Sequence, residues 1–446
     1  MSIRQLRLSH RRLCGLALLA CPWAAWAQSP LSLRQVLDAA GANLEVSISQ
    51  RNLEAAQADV VSADRSPLPV LSARTSSIDL QNGIGGGHVW RDKRIDKGVG
   101  LDYTVERGNK RDLRTLTAQS SARAAEQDLA LTRRQQGLLA SATYFDWLAQ
   151  IERLHHLQSV AVASRQQAQA AEKRQQAGDL SRQEMMRWQI EASRAETEVP
   201  AALAGLQRAT QVLRHVTGLK TPPEGWRPGQ GWPKTIGDLS DTERWVPQWT
   251  QGVERSPTVS AAQARADAAR QGLALALALK KSDITWGTSL DHHPGTSTRL
   301  LELRLQMPLQ WNYSYQGEIA RAQAQAQQSE DLLAQARLQA QTEWHGLYQD
   351  FLAARSRWLS HRDDIGPQAR QVLEQAEQAY EKGALSLTDL LDARRTHHLT
   401  WLEGLAAKRD HAVTYAGLLL LTEPPERALQ RLIMSLPMLT TPETSP

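Results

Sequence analysis

The chain has 446 residues, with 52 lysines and arginines against 47 aspartates and glutamates, which gives a formal net charge of +5. Most of that excess lies in residues 1–27, which hold four arginines and no acidic residue. The remainder carries 48 basic side chains against 47 acidic ones. A nearly neutral chain lacks the basic surface that nucleic-acid binding requires, so no nucleic-acid partner is expected.

The first 27 residues have the pattern of a secretory signal peptide: a basic start, a short apolar core and an Ala-Trp-Ala cleavage site before Gln28. The alternative, a lipoprotein signal with Cys21 lipidated, stays open. Cleavage would remove Cys14 and Cys21 together, so neither a disulfide nor a cysteine-ligated metal is expected. The rest of the chain has no run of 18 apolar residues, which predicts no transmembrane helix. A membrane-spanning form would have to be a closed β-barrel.

The first repeat is predicted at 28–216, and it opens with a helix followed by a β-hairpin at 70–106. The first strand, from about Val70 to Leu80, alternates poorly, whereas the stretch 96–106 alternates apolar with small or polar residues. No proline then occurs until Pro200, and the composition is typical of long helices.

A short interruption divides this helical stretch near 178–181. Gly178 suits the residue just past a helix end, where a left-handed backbone is needed. Ser181 suits the N-cap of a new helix, and Glu184 lies three positions later, as in a capping box. The pattern predicts an antiparallel helical hairpin with Leu180 projecting from its tip.

A linker rich in proline, glycine and tryptophan follows at 217–250, and the second repeat is predicted at 251–422 with a tail at 423–446. Its β-hairpin, at 283–312, carries leucines on alternate positions from 301 to 309, with charged or polar residues between them. This pattern suits strands between lipid and a wet lumen, although a half-buried soluble sheet alternates equally well. The aromatic residues near the strand ends would form a membrane-interface belt: Trp286, Trp311, Tyr313 and Tyr315.

A helix is predicted from about 317 to 382, with a possible break at Gly366-Pro367, and the interruption then recurs at 383–386. Gly383, Ser386 and Asp389 repeat the first tip 205 residues later, and Leu385 takes the place of Leu180. The chain is therefore a duplicated half-molecule with one β-hairpin and one helical hairpin in each half. Four strands are too few to close a barrel, so copies of the chain should share strands.

The order and duplication of these motifs, together with ERGNKR at 106–111, resemble the TolC-type outer-membrane factors over essentially the whole mature chain. The ERGNKR segment and the first tip are more similar to the heavy-metal efflux branch. The resemblance implies a mainly α fold with a β-barrel portion. A homotrimer would share a 12-stranded outer-membrane barrel, which a periplasmic α-helical barrel would continue. It also implies docking of the helical tips onto a periplasmic adaptor (membrane fusion) protein, which links to an inner-membrane pump, a proton-driven RND pump in preference to an ABC exporter.

By the same resemblance, Tyr380, Asp389 and Asp392 fall at aperture positions, and Glu184 takes the acidic position of the first tip. The chain departs from the archetype at Leu385, where an arginine would stand, and its closing bonds should differ accordingly. Asp389 and Asp392 lie three residues apart, on one helical face. Repeated around a three-fold axis, they would form a ring that favours cations. Capping alone remains the alternative for Asp389 and Glu184, and plain solvent exposure remains the alternative for Asp392.

The function expected is a passive exit channel for small molecules or metal ions in the outer membrane of a Gram-negative bacterium. Type I protein secretion stays open, as does a periplasmic coiled-coil scaffold or adaptor, a different class of protein. Adjacent histidines on one helix point about 100° apart, so His155-His156 and His397-His398 are poor chelates. The sequence shows no nucleophile or acid–base pair at meaningful spacing. No enzymatic activity, cofactor or metal site is expected.

Overall fold

A computed structural model describes residues 30–88, 92–220, 225–233, 252–294, 297–422 and 425–437. The predicted signal peptide with Cys21, much of the 217–250 linker and the end of the tail lie outside these residues. No helix in the described part of the chain is long and apolar enough to cross a membrane.

The chain folds into nine α-helices and four strands within the described residues. The first half contains α1 (Leu33–Ala40), α2 (Leu44–Ala63), β1 (Val70–Ser76), β2 (Asp96–Val105), α3 (Lys110–Gln176) and α4 (Arg182–Thr217). The second half contains α5 (Pro257–Ala278), β3 (Ile284–His293), β4 (Ser297–Gln306), α6 (Gln316–Ser360), α7 (Gly366–Glu381), α8 (Leu387–Thr422) and α9 (Pro425–Ser435). The prediction of a mainly helical, duplicated chain with one β-hairpin per half is confirmed.

The four strands form one antiparallel sheet in the order β1-β2-β3-β4. The two hairpins join through β2 and β3, where Tyr103 pairs with Trp286 and Val99 pairs with Leu290. Two boundaries differ from the prediction: β1 ends at Ser76 instead of Leu80, and β4 ends at Gln306 instead of Leu309. Pro308 accounts for the second difference, since proline offers no N–H to a strand ladder and restricts the residue before it.

Helix α3 runs uninterrupted for 67 residues. Its counterpart in the second half is divided by a π-helical turn, His361–Ile365, between α6 and α7. The predicted break at Gly366-Pro367 is therefore a change of helical pitch, and the helix continues through it. A proline at this position lacks the N–H that a regular helix would use, and an extra residue in the preceding turn is a common accommodation.

The largest apolar cluster lies midway along the long helices. It is built around the fully buried side chains of Tyr144, Phe145 and Trp147 of α3, and it includes residues of α1, α8 and α9. The described parts of the linker and tail meet here: the Gly231 N–H donates to the Pro437 carbonyl at 2.9 Å. Trp232 stacks on Phe145 with ring centroids 5.9 Å apart. This cluster fixes the base from which the two helical hairpins extend.

Candidate functional site

The first tip joins α3 to α4 as a capped turn. Gly178 adopts φ +86°, in the left-handed region that favours glycine. The Glu184 N–H donates to Ser181 Oγ at 3.2 Å, and the Ser181 N–H donates to Glu184 Oε2 at 3.2 Å. This is the complete reciprocal capping box that the sequence predicts, so capping of α4 by Ser181 is confirmed.

The second tip joins α7 to α8 with the same backbone. Gly383 has φ +71°, and the Asp389 N–H donates to Ser386 Oγ at 3.3 Å. The Asp389 carboxylate accepts from the Ser386 hydroxyl at 2.7 Å. Asp389 and Asp392 are both exposed on α8. The two tips are therefore equivalent in construction, and both aspartates of the second tip are available to solvent.

The tip leucines do not project, contrary to the prediction. Leu180 and Leu385 are half-buried and pack against one apolar cluster shared by both hairpins, together with Tyr380. Trp188 of α4 is buried in that cluster, and its ring meets the Tyr380 ring edge-on at 6.3 Å. Short apolar side chains beside a cluster bury their area instead of facing water. The adaptor-contacting role predicted for Gly178, Leu180, Ser181, Gly383, Leu385 and Ser386 stays a prediction.

Arg394, two residues beyond the predicted aperture residue Asp392, links the hairpins, and the sequence pattern did not indicate it. Its guanidinium donates to Glu377 Oε1 of α7 at 2.6 Å, and it also donates to the Gln167 side-chain oxygen of α3. The same group lies over the Trp188 ring, 5.2 Å from the ring centroid. The one sequence signal was Trp188, the single aromatic residue of α4.

A second link between the hairpins comes from Arg187. Arg187 of α4 donates to Thr388 Oγ1 of α8 at 2.7 Å. This bond joins the first turns of the two helices that leave the tips. Arg187 of the first tip therefore adds to the contacts that Arg394 and the apolar cluster make between the hairpins.

The four predicted interface aromatic residues lie at the end of the sheet that is next to the helices. Trp286 is the third residue of β3 and is 58% exposed. Trp311, which is 80% exposed, lies just past the end of β4. Tyr313 and Tyr315 follow, with ring centroids 6.0 Å apart. Their position at one end of the sheet suits a membrane-interface belt, which stays a prediction.

Comparison with known proteins agrees with this architecture. Residues 255–422 match the family described as Outer membrane efflux protein. The cobalt-zinc-cadmium resistance protein CzcC of Cupriavidus metallidurans is 24% identical over 373 residues, which cover 83% of this chain and 84% of that protein. A membrane protein from Pseudomonas aeruginosa superposes with a TM-score of 0.73 at 18% identity, covering 88% of this chain and 91% of the other. The outer membrane protein VceC of Vibrio cholerae gives 0.70 at 16% identity, covering 88% and 96%.

The fold is a duplicated, mainly helical chain with a four-stranded sheet, and it is similar to the folds of these solved structures. More particularly, residues 255–422 match the outer membrane efflux protein family, so the resemblance found in the sequence is confirmed. The activity in that family's description is efflux, which agrees with the prediction that this chain is not an enzyme.

Proposed function

We propose that this chain is the outer-membrane exit channel of a tripartite efflux system, which passively conducts metal ions or small molecules to the exterior. The family match supports efflux as the activity. The name of CzcC, a cobalt-zinc-cadmium resistance protein, favours metal ions as cargo. The observation that carries the proposal is that the sheet exposes an apolar face and pairs its charged side chains on the opposite face.

One face of the sheet is apolar and exposed. Leu303 and Leu305 of β4 are 78% and 60% exposed, and they continue across the sheet into Leu101 and Tyr103 of β2 through β3. Large apolar side chains aligned in this way would be unfavourable in water. Lipid acyl chains are the solvent that such a surface suits.

The opposite face is ionic and hydrogen-bonded. Arg304 donates to Asp102 at 2.6 Å across the sheet, and Arg74 pairs with the buried Asp291 at 3.2 Å. The hydroxyls of Thr104 and Thr285 lie 2.9 Å apart on the same face. Charges paired on one face and leucines exposed on the other are the arrangement of a sheet with lipid outside and a wet lumen inside.

The sheet has two open edges, which supports a shared barrel. Strands β1 and β4 each pair on one side only within the described residues. A sheet edge in lipid leaves backbone N–H and C=O groups without partners, and closure removes that cost. Three copies contributing four strands each would give a barrel of twelve, above the minimum of about eight. The homotrimer belongs to the proposal.

The tips would form the gate and the docking surface at the other end. Asp389 and Asp392, with Glu184 and Tyr380 nearby, would surround the aperture. Exposed carboxylates repeated around a three-fold axis would favour cations. The tips would dock onto a periplasmic adaptor, which links to an inner-membrane pump, a proton-driven one in preference to an ABC exporter.

The test is single-channel recording of the purified protein in a planar bilayer, with the variant D389A/D392A beside the wild type. Cation-selective steps that lose selectivity in the variant are expected. D363A/D364A is the matched control, since it removes two exposed acidic residues that lie far from the tip, in the π-helical turn between α6 and α7. Steps with equal selectivity in all three would contradict the gate assignment, and the absence of steps from membrane-inserted protein would contradict the channel.

A further inference from the structure

Two histidines from different halves of the chain meet between the helical hairpins. His156 lies on α3 and His398 on α8, and the Nε2 atom of the first is 3.2 Å from the Nδ1 atom of the second. Their rings are nearly parallel, at 10°. Each belongs to an adjacent pair that cannot chelate within its own helix, and the fold brings one member of each pair together.

The surroundings orient both rings. The Trp401 indole stacks on His156 with centroids 3.8 Å apart and 10° between the planes. On the far side of His398, Nε2 lies 3.5 Å from a carboxylate oxygen of Glu198, on α4. A carboxylate behind a histidine is the usual partner of a metal-ligating imidazole, because it fixes the tautomer that leaves the other nitrogen free. Here that other nitrogen is His398 Nδ1, which faces His156.

The spacing of the pair suits a metal ion. Two imidazole nitrogens on one tetrahedral ion, each about 2.0–2.1 Å from it, lie about 3.3 Å apart. The proton between the rings can move to Nδ1 of His156, and the broad χ2 torsions of histidine let both lone pairs turn towards one ion.

We propose that His156 and His398 bind a divalent first-row transition-metal ion, which ties the first helical hairpin to the second. No three histidine, cysteine, aspartate or glutamate side chains in the described part of the chain are arranged around one ion. The site therefore supplies two protein ligands, and water completes the coordination. Borderline ions that prefer imidazole, such as Ni²⁺, Cu²⁺ and Zn²⁺, are the class it fits.

The contact does not depend on the proposed efflux function, because it needs the helical hairpins alone. A chain that conducts nothing would still bind the ion, so failure of one proposal leaves the other standing. The ion would also raise the thermal stability of the protein, by an amount that grows with the logarithm of the free ion concentration above the Kd, since binding favours the folded state alone.

The experiment is calorimetric titration of the purified full chain with Ni²⁺. H156N and H398N should each remove one binding equivalent per chain. H155N and H397N are the matched controls, since each removes the neighbouring histidine and should leave that equivalent intact. E198Q should weaken binding by about tenfold, as loss of a carboxylate behind a metal ligand does. Equal binding by all five variants and the wild type, or equal loss in the control pair, overturns the proposal.

A second measurement keeps the His156 and His398 ligands intact, in case those variants fail to fold. Cu²⁺ bound beside the Trp401 indole should quench its fluorescence, so W401F should reduce the Cu²⁺-quenchable fraction of the emission. W311F, at an exposed residue just past the end of β4, should leave that fraction unchanged. Equal quenching in W401F and in the wild type would place the ion elsewhere and overturn the assignment.

Discussion

An arginine placed on the apolar face of the sheet should destabilise the membrane-inserted protein strongly. Leu303 is 78% exposed near the middle of β4, opposite Thr288, which in turn lies opposite Leu101. If this face meets acyl chains, L303R places a guanidinium near the bilayer midplane, at a cost of about 2–4 kcal/mol per copy. In water the same change would be within about 0.5 kcal/mol, as is usual for exposed positions.

The matched control is E302R, because the preceding residue points to the opposite, ionic face and receives the same side chain. Urea-induced unfolding of both variants in lipid vesicles, followed by tryptophan fluorescence, measures the difference in unfolding free energy. L303R should lose the predicted amount and E302R much less. Equal stability of L303R and the wild type, or a larger loss in E302R, would refute the assignment of the leucine face to lipid.

Three further predictions concern the helical hairpins. R394A should raise the open probability in bilayer recordings, because this guanidinium joins α3 and α7 over a buried tryptophan, whereas R395A, at an exposed neighbour, should not. G383A should lower the free energy of unfolding, measured by thermal unfolding, by about 1–2 kcal/mol, because φ is +71° at this position. No atom lies within 4 Å of an added Cβ, so the cost comes from the backbone conformation alone, and G383N should cost less. His411 is buried, and burial lowers its pKa to about 4 from 6.5. The unfolded chain therefore binds the proton first as the pH falls, so stability should drop by about 3 kcal/mol between pH 6.5 and 4. H411F should flatten that part of the wild-type curve, and an unchanged slope would contradict the assignment.

Features set by local backbone chemistry could be predicted from the sequence. A glycine followed three residues later by a serine located both tips, because a left-handed turn and an N-cap each restrict the residue type. The two-residue period located β2, β3 and β4, since only one sheet face is apolar. β1 was harder to place, because its two large apolar residues, Val70 and Leu71, are adjacent and so point to opposite faces of the sheet.

Contacts between helices could not be predicted, because they depend on how distant segments align. Arg394 meets Gln167 across 227 residues of sequence, and His156 meets His398 across 242. Considered within its own helix, each histidine pair has the wrong spacing for a ligand set. The leucines of the tips were misplaced for a related reason: their burial is decided by a cluster to which both hairpins contribute.

The duplicated halves have diverged at the tips in complementary ways. The 205-residue offset between the tip glycines puts Trp188 opposite Ala393 in the repeat, and both are buried in the shared tip cluster. A second tryptophan in place of Ala393 would add volume to this buried cluster, and overpacking of that kind is destabilising. The tip cluster therefore favours a difference between the two halves at this position.

The same offset aligns Asp392 with Arg187, so the repeat has reversed the charge at this position. Arg187 is engaged with Thr388, whereas Asp392 is exposed. In a trimer each copy would thus bring Asp389 and Asp392 of the second tip, and Glu184 together with Arg187 of the first tip, to the aperture. Arg187 would offset the charge of Glu184, so cation preference would come from the second tip. If the first tip determined selectivity instead, removing Asp389 and Asp392 would leave it largely unchanged, and the bilayer comparison separates these cases.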